Sequence, residues 1–131
     1  MPRYMLDTDT VSFALRGQGR VGVRLLDHRP SECCISAMTL AELRYGADLR
    51  RSRKLHRLID IFTHTIGPVP FDRAGADRFG AAAAALARGG TPIGMPDTVI
   101  AAHALSLGLI LVTNNVKHFG RVAGLDVENW T

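Results

Sequence analysis

Apolar residues along the chain fall into short unbroken runs separated by longer stretches of helical spacing. The runs are Tyr4-Met5-Leu6, Cys33-Cys34-Ile35 and Leu109-Ile110-Leu111-Val112. Runs without a polar alternate suit strands covered on both faces, as in a parallel sheet beneath helices. Between them, Val11 to Leu15 predicts a helix that stops at Arg16-Gly17-Gln18-Gly19. Val21, Val23, Leu25 and Leu26 predict a second, ending before Arg29-Pro30. Ser36 is placed to cap a third helix through about Leu49, with Met38, Leu40, Leu43 and Ala47 among its apolar contacts. In the next helix Leu55, Leu58, Ile59 and Phe62 interleave with a basic run of Arg50, Arg51, Arg53, Lys54 and Arg57, and Arg44 lies a little upstream.

The segment Ile66 to Phe71 carries two prolines, which restricts any strand there to a short edge strand. Asp72 then caps a helix with an expected apolar face of Ala76, Phe79, Gly80, Ala83, Leu86 and Ala87, closed by Arg88-Gly89-Gly90. A Gly/Pro-rich loop leads to a helix opened by Asp97 and stopped by Gly108. The strand Leu109 to Thr113 follows, and Val127 to Trp130 reads as a last edge strand. Strands alternating with helices predict an α/β fold with a parallel sheet. No repeat or linker divides residues 1–131, so a single domain is expected.

Composition narrows the class. A chain of 131 residues, 47% hydrophobic and 21% charged, is ordinary globular material. No apolar run approaches the roughly 18 residues of a membrane span, and the N-terminus enters a strand directly, so neither a signal peptide nor a membrane is expected. The net charge of +4 favours an acidic partner, with nucleic acid foremost. Cys33 and Cys34 are neighbours on one strand and point to opposite faces. They read as core thiols, in keeping with a reducing cytoplasm.

The candidate chemistry lies in acids at element ends. Open α/β sheets place ligands outside the carboxyl ends of their strands, where Asp7 follows the first strand. Asp9 points the same way as Asp7 if the chain is still extended there. Glu42 lies in the first turns of the helix after strand two, and Asp97 in the first turn of the helix before strand four. Each acid also has a purely structural role open to it. Asp7, Asp9 and Asp97 are good N-caps, and Thr39 to Glu42 is a capping-box pattern. If the acids converge, an oxygen-only set suits Mg²⁺ or Mn²⁺ rather than zinc. Such an ion supports phosphodiester hydrolysis, and a basic surface nearby would hold the phosphate backbone.

Four stretches resemble the PIN-domain ribonucleases of the VapC toxin family: Tyr4-Met5-Leu6-Asp7-Thr8-Asp9, Ile35 to Gly46, Asp97-Thr98-Val99-Ile100-Ala101-Ala102-His103-Ala104, and Leu111 to Phe119. The closing Gly124-Leu125 to Trp130 is similar as well. The resemblance implies a three-layer α/β/α PIN-like domain that cleaves RNA, of the tRNA or rRNA class, with Mg²⁺ or Mn²⁺. It also implies a homodimer neutralised by a small VapB-type antitoxin. Asp7, Glu42 and Asp97 match the family's acidic, metal-binding cluster. Thr8 and Asp9 fall where the family shows Thr then Asn or Ser. Thr113 and Asn115 match its polar positions ending strand four, with Asn115 counted among the catalytic residues. The departure is His118, where many relatives place an acid, and Asp9 is positioned to compensate in charge.

Two other readings compete. Leu6-Asp7-Thr8-Asp9-Thr10-Val11 fits the nucleophile motif of haloacid-dehalogenase-type phosphatases, with Asp9 as general acid. That pattern lacks its paired acids later, where Thr113-Asn114-Asn115 stands instead. The second alternative is a basic RNA-binding module whose acids only cap helices. Among the histidines, His103 reads as a packed core residue, and His28, His56 and His64 as surface or helix-end residues.

Overall fold

The computed structural model describes residues 2–131. Five strands form one parallel sheet in the order β3-β2-β1-β4-β5: β1 Tyr4–Leu6, β2 Cys33–Ser36, β3 Pro68–Val69, β4 Ile110–Val112 and β5 Val127–Glu128. The helices are α1 Thr8–Leu15, α2 Val21–Leu26, α3 Ala37–Leu49, α4 Arg53–Thr65, α5 Arg73–Arg88, α6 Met95–Leu107 and α7 Val116–Phe119. The expected α/β class therefore holds, as a three-layer α/β/α sandwich.

Strand alternation divides the core in two. Tyr4, Leu6, Cys33, Ile35 and Val112 face a layer containing Val11, Leu43, Ala47 and Ile59. Met5, Cys34 and Leu111 face Leu86, Ile100, Ala101, Ala104 and Phe119. Central strands buried on both faces explain why the runs lack polar alternates. The two cysteines are free and buried, one per face, as expected. Burial pushes the Cys33 thiol up to about 11 and that of Cys34 to about 12, which keeps both protonated and unreactive.

The chain runs outward from β1 through β2 to β3, then crosses back to add β4 on the other side of β1. This reversal opens a crevice at the carboxyl ends of β1 and β4. Register aligns Leu6 with both Ile35 and Val112, so the residues after β1, β2 and β4 share one rim.

Several boundaries differ from the sequence reading for local reasons. The first helix starts at Thr8, not Val11, because Asp7 itself accepts the Thr10 N–H as N-cap. The sixth starts at Met95 with Gly94 as its N-cap, so Asp97 is the third helical residue and not the cap. On α5 the expected Ala76, Gly80 and Ala87 are exposed, and Gly75 and Leu86 are the buried positions. An alanine-rich helix has too little side-chain contrast to mark its inner face. His28 does not simply lie at the surface; it is half-buried and stacks on Trp130 at 4.8 Å. His56 lies at the end of the first turn of α4, as a helix-end residue, and is half-buried between Arg44 and Asp48.

Gly94 adopts φ 89° and ψ 157°, a region essentially closed to residues with a Cβ. It turns the loop so that α6 begins with Asp97 facing the rim. Gly94→Ala is expected to destabilise the fold by about 2 kcal/mol. Urea denaturation would show a lower midpoint with an unchanged slope, and an unshifted midpoint would contradict this reading of the turn.

Candidate active site

Asp7 leaves β1 into the crevice and is 4% exposed. Its backbone N–H donates to the Val112 carbonyl at 3.0 Å, continuing the sheet by one step. One carboxyl oxygen, Oδ1, accepts the Thr10 N–H at 2.9 Å, and Oδ2 accepts the Thr113 hydroxyl at 2.6 Å. The capping role is therefore real, and the second oxygen is held from across the crevice as well. Thr113 in turn accepts the Asn115 N–H at 2.9 Å, which folds the chain after β4 toward the same rim. The Thr10 hydroxyl donates to the Val112 carbonyl at 3.1 Å and ties α1 to β4.

Glu42 projects from the second turn of α3. Ser36 caps that helix, so the capping-box reading of Thr39 and Glu42 does not hold. Instead Glu42 Oε1 accepts the Thr8 hydroxyl at 2.6 Å, a contact spanning 34 positions of sequence. The buried Thr39 hydroxyl lies 3.4 Å from that of Thr8. Asp97 Oδ2 lies 2.9 Å from His118 Nε2. Sequence reasoning saw His118 as a departure from the family and missed that it meets Asp97. No spacing rule links positions 21 apart on separate elements.

Two expected residues stand differently. Asp9 is exposed in the first helical turn, so it does not extend from a strand beside Asp7 as a phosphatase acid would. The Asn115 backbone is tied down, and its side chain is exposed at the start of α7. His103 is packed as expected: it is 1% exposed, bonded through Nδ1 to the Ser36 hydroxyl at 2.8 Å and edge-on to Phe71. Burial lowers its proton affinity, so a neutral ring is favoured.

The acids share one electrostatic environment. Burial holds the Asp7 carboxyl above its usual range, opposed by the donors Thr113 and Thr10 and reinforced by the charge of Asp9. Glu42 is raised by burial, against the pull of Thr8, with further repulsion from Asp97, Asp9 and Asp7. Asp97 is raised by burial, partly offset by His118, and repelled by Asp9. Carboxyl groups with raised folded-state values stabilise the fold below the usual carboxylate range. That stability is lost as pH rises through the raised values, because ionisation then costs more in the folded chain. Glu42→Gln keeps an acceptor for Thr8 and removes a charge. At neutral pH the metal-free variant should melt a few degrees above the parent, a gap that closes near about pH 4. Thermal unfolding at both pH values checks this, and equal midpoints at neutral pH would contradict it.

Comparison with known proteins places this geometry in a family. The PIN domain family matches residues 4–125. The tRNA(fMet)-specific endonuclease VapC of Shigella flexneri is 38% identical over 132 residues, covering 100% of both chains. Ribonuclease VapC2 of Haemophilus influenzae is 36% identical, covering 99% of each. Among solved structures, DNA-bound VapBC from Salmonella typhimurium superimposes with a TM-score of 0.89 at 37% identity and full coverage of both chains. VapBC2 from Rickettsia felis, bound to a promoter DNA fragment, gives 0.87 at 32% identity with 98% of each chain covered. With relatives this similar over its whole length, the phosphatase reading falls away. The chain belongs to the PIN-domain family and, within it, to the VapC ribonucleases.

Proposed function

We propose that this ribonuclease is the toxin of a VapBC-type pair and cleaves RNA endonucleolytically with Mg²⁺ or Mn²⁺ held by Asp7, Glu42 and Asp97. The observation that carries this is the placement of Asp7, Glu42 and Asp97 around one crevice, with Asp7 tied to Thr113, Glu42 to Thr8 and Asp97 to His118, where burial raises all three carboxyl groups and Glu42 feels the charge of the other two. Such a cluster is costly unless a cation neutralises it. The donor set fits the ion, being oxygen-only apart from His118 at its edge. Among the described residues no three acid, histidine or cysteine groups are drawn into a ready-made cage. The three carboxyl groups would therefore have to draw in around the ion, which can keep several waters in its shell. When bound, the ion supplies a water of lowered pKa and charge stabilisation for the phosphoryl oxygens.

The chain's own groups have separate tasks. Thr113 and the Thr10 N–H fix both oxygens of Asp7, and the Thr8 hydroxyl fixes Glu42, so these carboxyl groups are oriented before any ligand arrives. Asp9 adds negative charge at the mouth and supports cation affinity. The Asn115 side chain caps no helix and is exposed at the rim, available to contact the RNA. Arg50, Arg51, Arg53, Lys54 and Arg57 are all exposed around the α3–α4 turn and present phosphate-binding charge. Arg44 is spoken for, since it pairs with Asp60 and His56.

The superimposable structures from Salmonella typhimurium and Rickettsia felis are VapBC complexes, which supports a VapB-type antitoxin as partner here, with a homodimer as the assembly. Leu26, Tyr45, Leu49 and Ile61 are apolar side chains left exposed on the helices and give such partners surface to cover. The reduced cysteines suit the cytoplasm, and among the described residues no helix is long and apolar enough to cross a membrane. We take residues 1–131 as one PIN domain, which the unbroken sheet supports.

The test is cleavage of a tRNA pool with Mg²⁺ or EDTA, comparing the parent with Asp7→Asn. Cuts should require the metal, and the variant should lose more than the roughly 100-fold that an outer partner of a metal ligand is worth. Tight RNA binding without metal-dependent cleavage would replace the nuclease with the basic binding module. Neutralising Arg53 and Arg57 together should weaken RNA binding and lower the slope of log affinity against log salt by about 2. Fluorescence anisotropy with labelled RNA reads that slope, and an unchanged slope would remove these residues from the RNA path.

A further inference from the structure

His118 sits in α7, where it joins three parts of the site. Its Nε2 lies 2.9 Å from Asp97 Oδ2 and 3.1 Å from the backbone carbonyl of Ile93. The ring also packs edge-on against Phe119 at 5.5 Å and 89°, and Phe119 is 1% exposed in the core. A carbonyl oxygen only accepts hydrogen bonds, so Nε2 must carry the hydrogen whichever charge the ring bears. That hydrogen is shared between the Ile93 carbonyl and the Asp97 carboxyl. The nitrogen facing Asp97 therefore offers no lone pair to a metal ion, and the contact with Asp97 is a donated hydrogen bond.

The anchors of this ring are rigid. Ile93 is 7% exposed and immediately precedes Gly94, the N-cap that starts α6 three residues before Asp97. The ring thus spans from α7 to both ends of the first turn that carries Asp97. Asp97 is partly open to solvent, with a side chain 36% exposed, and sits at the start of a helix where, among the described residues, His118 is the side-chain donor that meets it. Thr113 and Thr8 perform the corresponding service for Asp7 and Glu42.

We propose that His118 is a positioning residue that holds Asp97 Oδ2 through its Nε2–H and so turns Oδ1 toward the divalent cation. This rests on the reading of Asp7, Glu42 and Asp97 as the metal site. It assigns the histidine a task different from that of a ligand: orienting one carboxylate by donation, with Ile93 fixing the donor. Loss of an outer partner of this type typically lowers metal affinity tenfold to a hundredfold.

The experiment is calorimetric titration of Mn²⁺ into the purified protein without RNA, for the parent, His118→Leu and His118→Gln. Leucine keeps the packing against Phe119 and removes the donor, whereas the glutamine amide restores a donor of similar reach. Thermal melts in EDTA confirm that each variant is folded. The expected result is about a tenfold or greater weakening of Mn²⁺ binding in His118→Leu, with His118→Gln within about threefold of the parent. Parent binding with equal affinity in His118→Leu overturns the positioning role and leaves the metal site intact. Equal losses in the leucine and glutamine variants also overturn it, because shape and not donation would then matter. Absence of Mn²⁺ binding by the folded parent overturns the metal site itself, and this inference with it.

Discussion

A carboxyl group buried at the end of a central strand must find donors or be neutralised, and much of this structure answers that demand at Asp7. Its two oxygens are met from two directions, by the first turn of α1 and by Thr113 at the end of β4. Thr113 arrives there because β1 and β4 pair in register and because its own N–H is held by the Glu128 carbonyl of β5. The bond between Asp7 and Thr113 therefore closes the crevice left by the reversal in strand order. Shifting β4 by one residue would turn Thr113 to the other face and put an apolar side chain against the carboxylate.

The remaining acids are arranged around that fixed point at a cost in stability. Glu42 and Asp97 come from helices on separate crossovers, and each is raised by burial and by its acidic neighbours. Each is steadied by one donor, the Thr8 hydroxyl for Glu42 and His118 for Asp97. Like charges brought together in a half-buried crevice disfavour the folded state, and such conflicts are expected where function selects them. In the metal site proposed above, the same repulsion would become affinity for a divalent cation. The apolar layers that carry the cluster, anchored by Leu6, Ile35, Leu111 and Val112, supply the rigidity that keeps it from relaxing.

How far this was legible in the sequence depended on range. Strands showed as apolar runs because both faces are buried, and α4 showed because its charged and apolar residues separate cleanly. Asp7, Glu42 and Asp97 were visible as acids at element ends, where an open α/β sheet presents its ligands. Helix starts were less legible. Asp7 begins a helix at once, which moved Asp9 off the extended path, and Gly94 took the cap assigned to Asp97. Both outcomes turn on single backbone angles that composition does not encode. Contacts between distant positions were least legible, since Thr8 with Glu42 and His118 with Asp97 exist only once three layers have assembled.

If the crevice is a repulsive carboxylate cluster, a divalent cation should relieve it and stabilise the fold. The most direct measurement is the thermal midpoint of the RNA-free protein against Mn²⁺ concentration at neutral pH. Binding to the folded state alone should raise the midpoint steadily with the logarithm of concentration. The rise should disappear in the Asp7→Asn, Asp97→Asn double variant. A midpoint that stays flat from micromolar to millimolar Mn²⁺ in the parent protein would mean that the crevice binds no divalent cation.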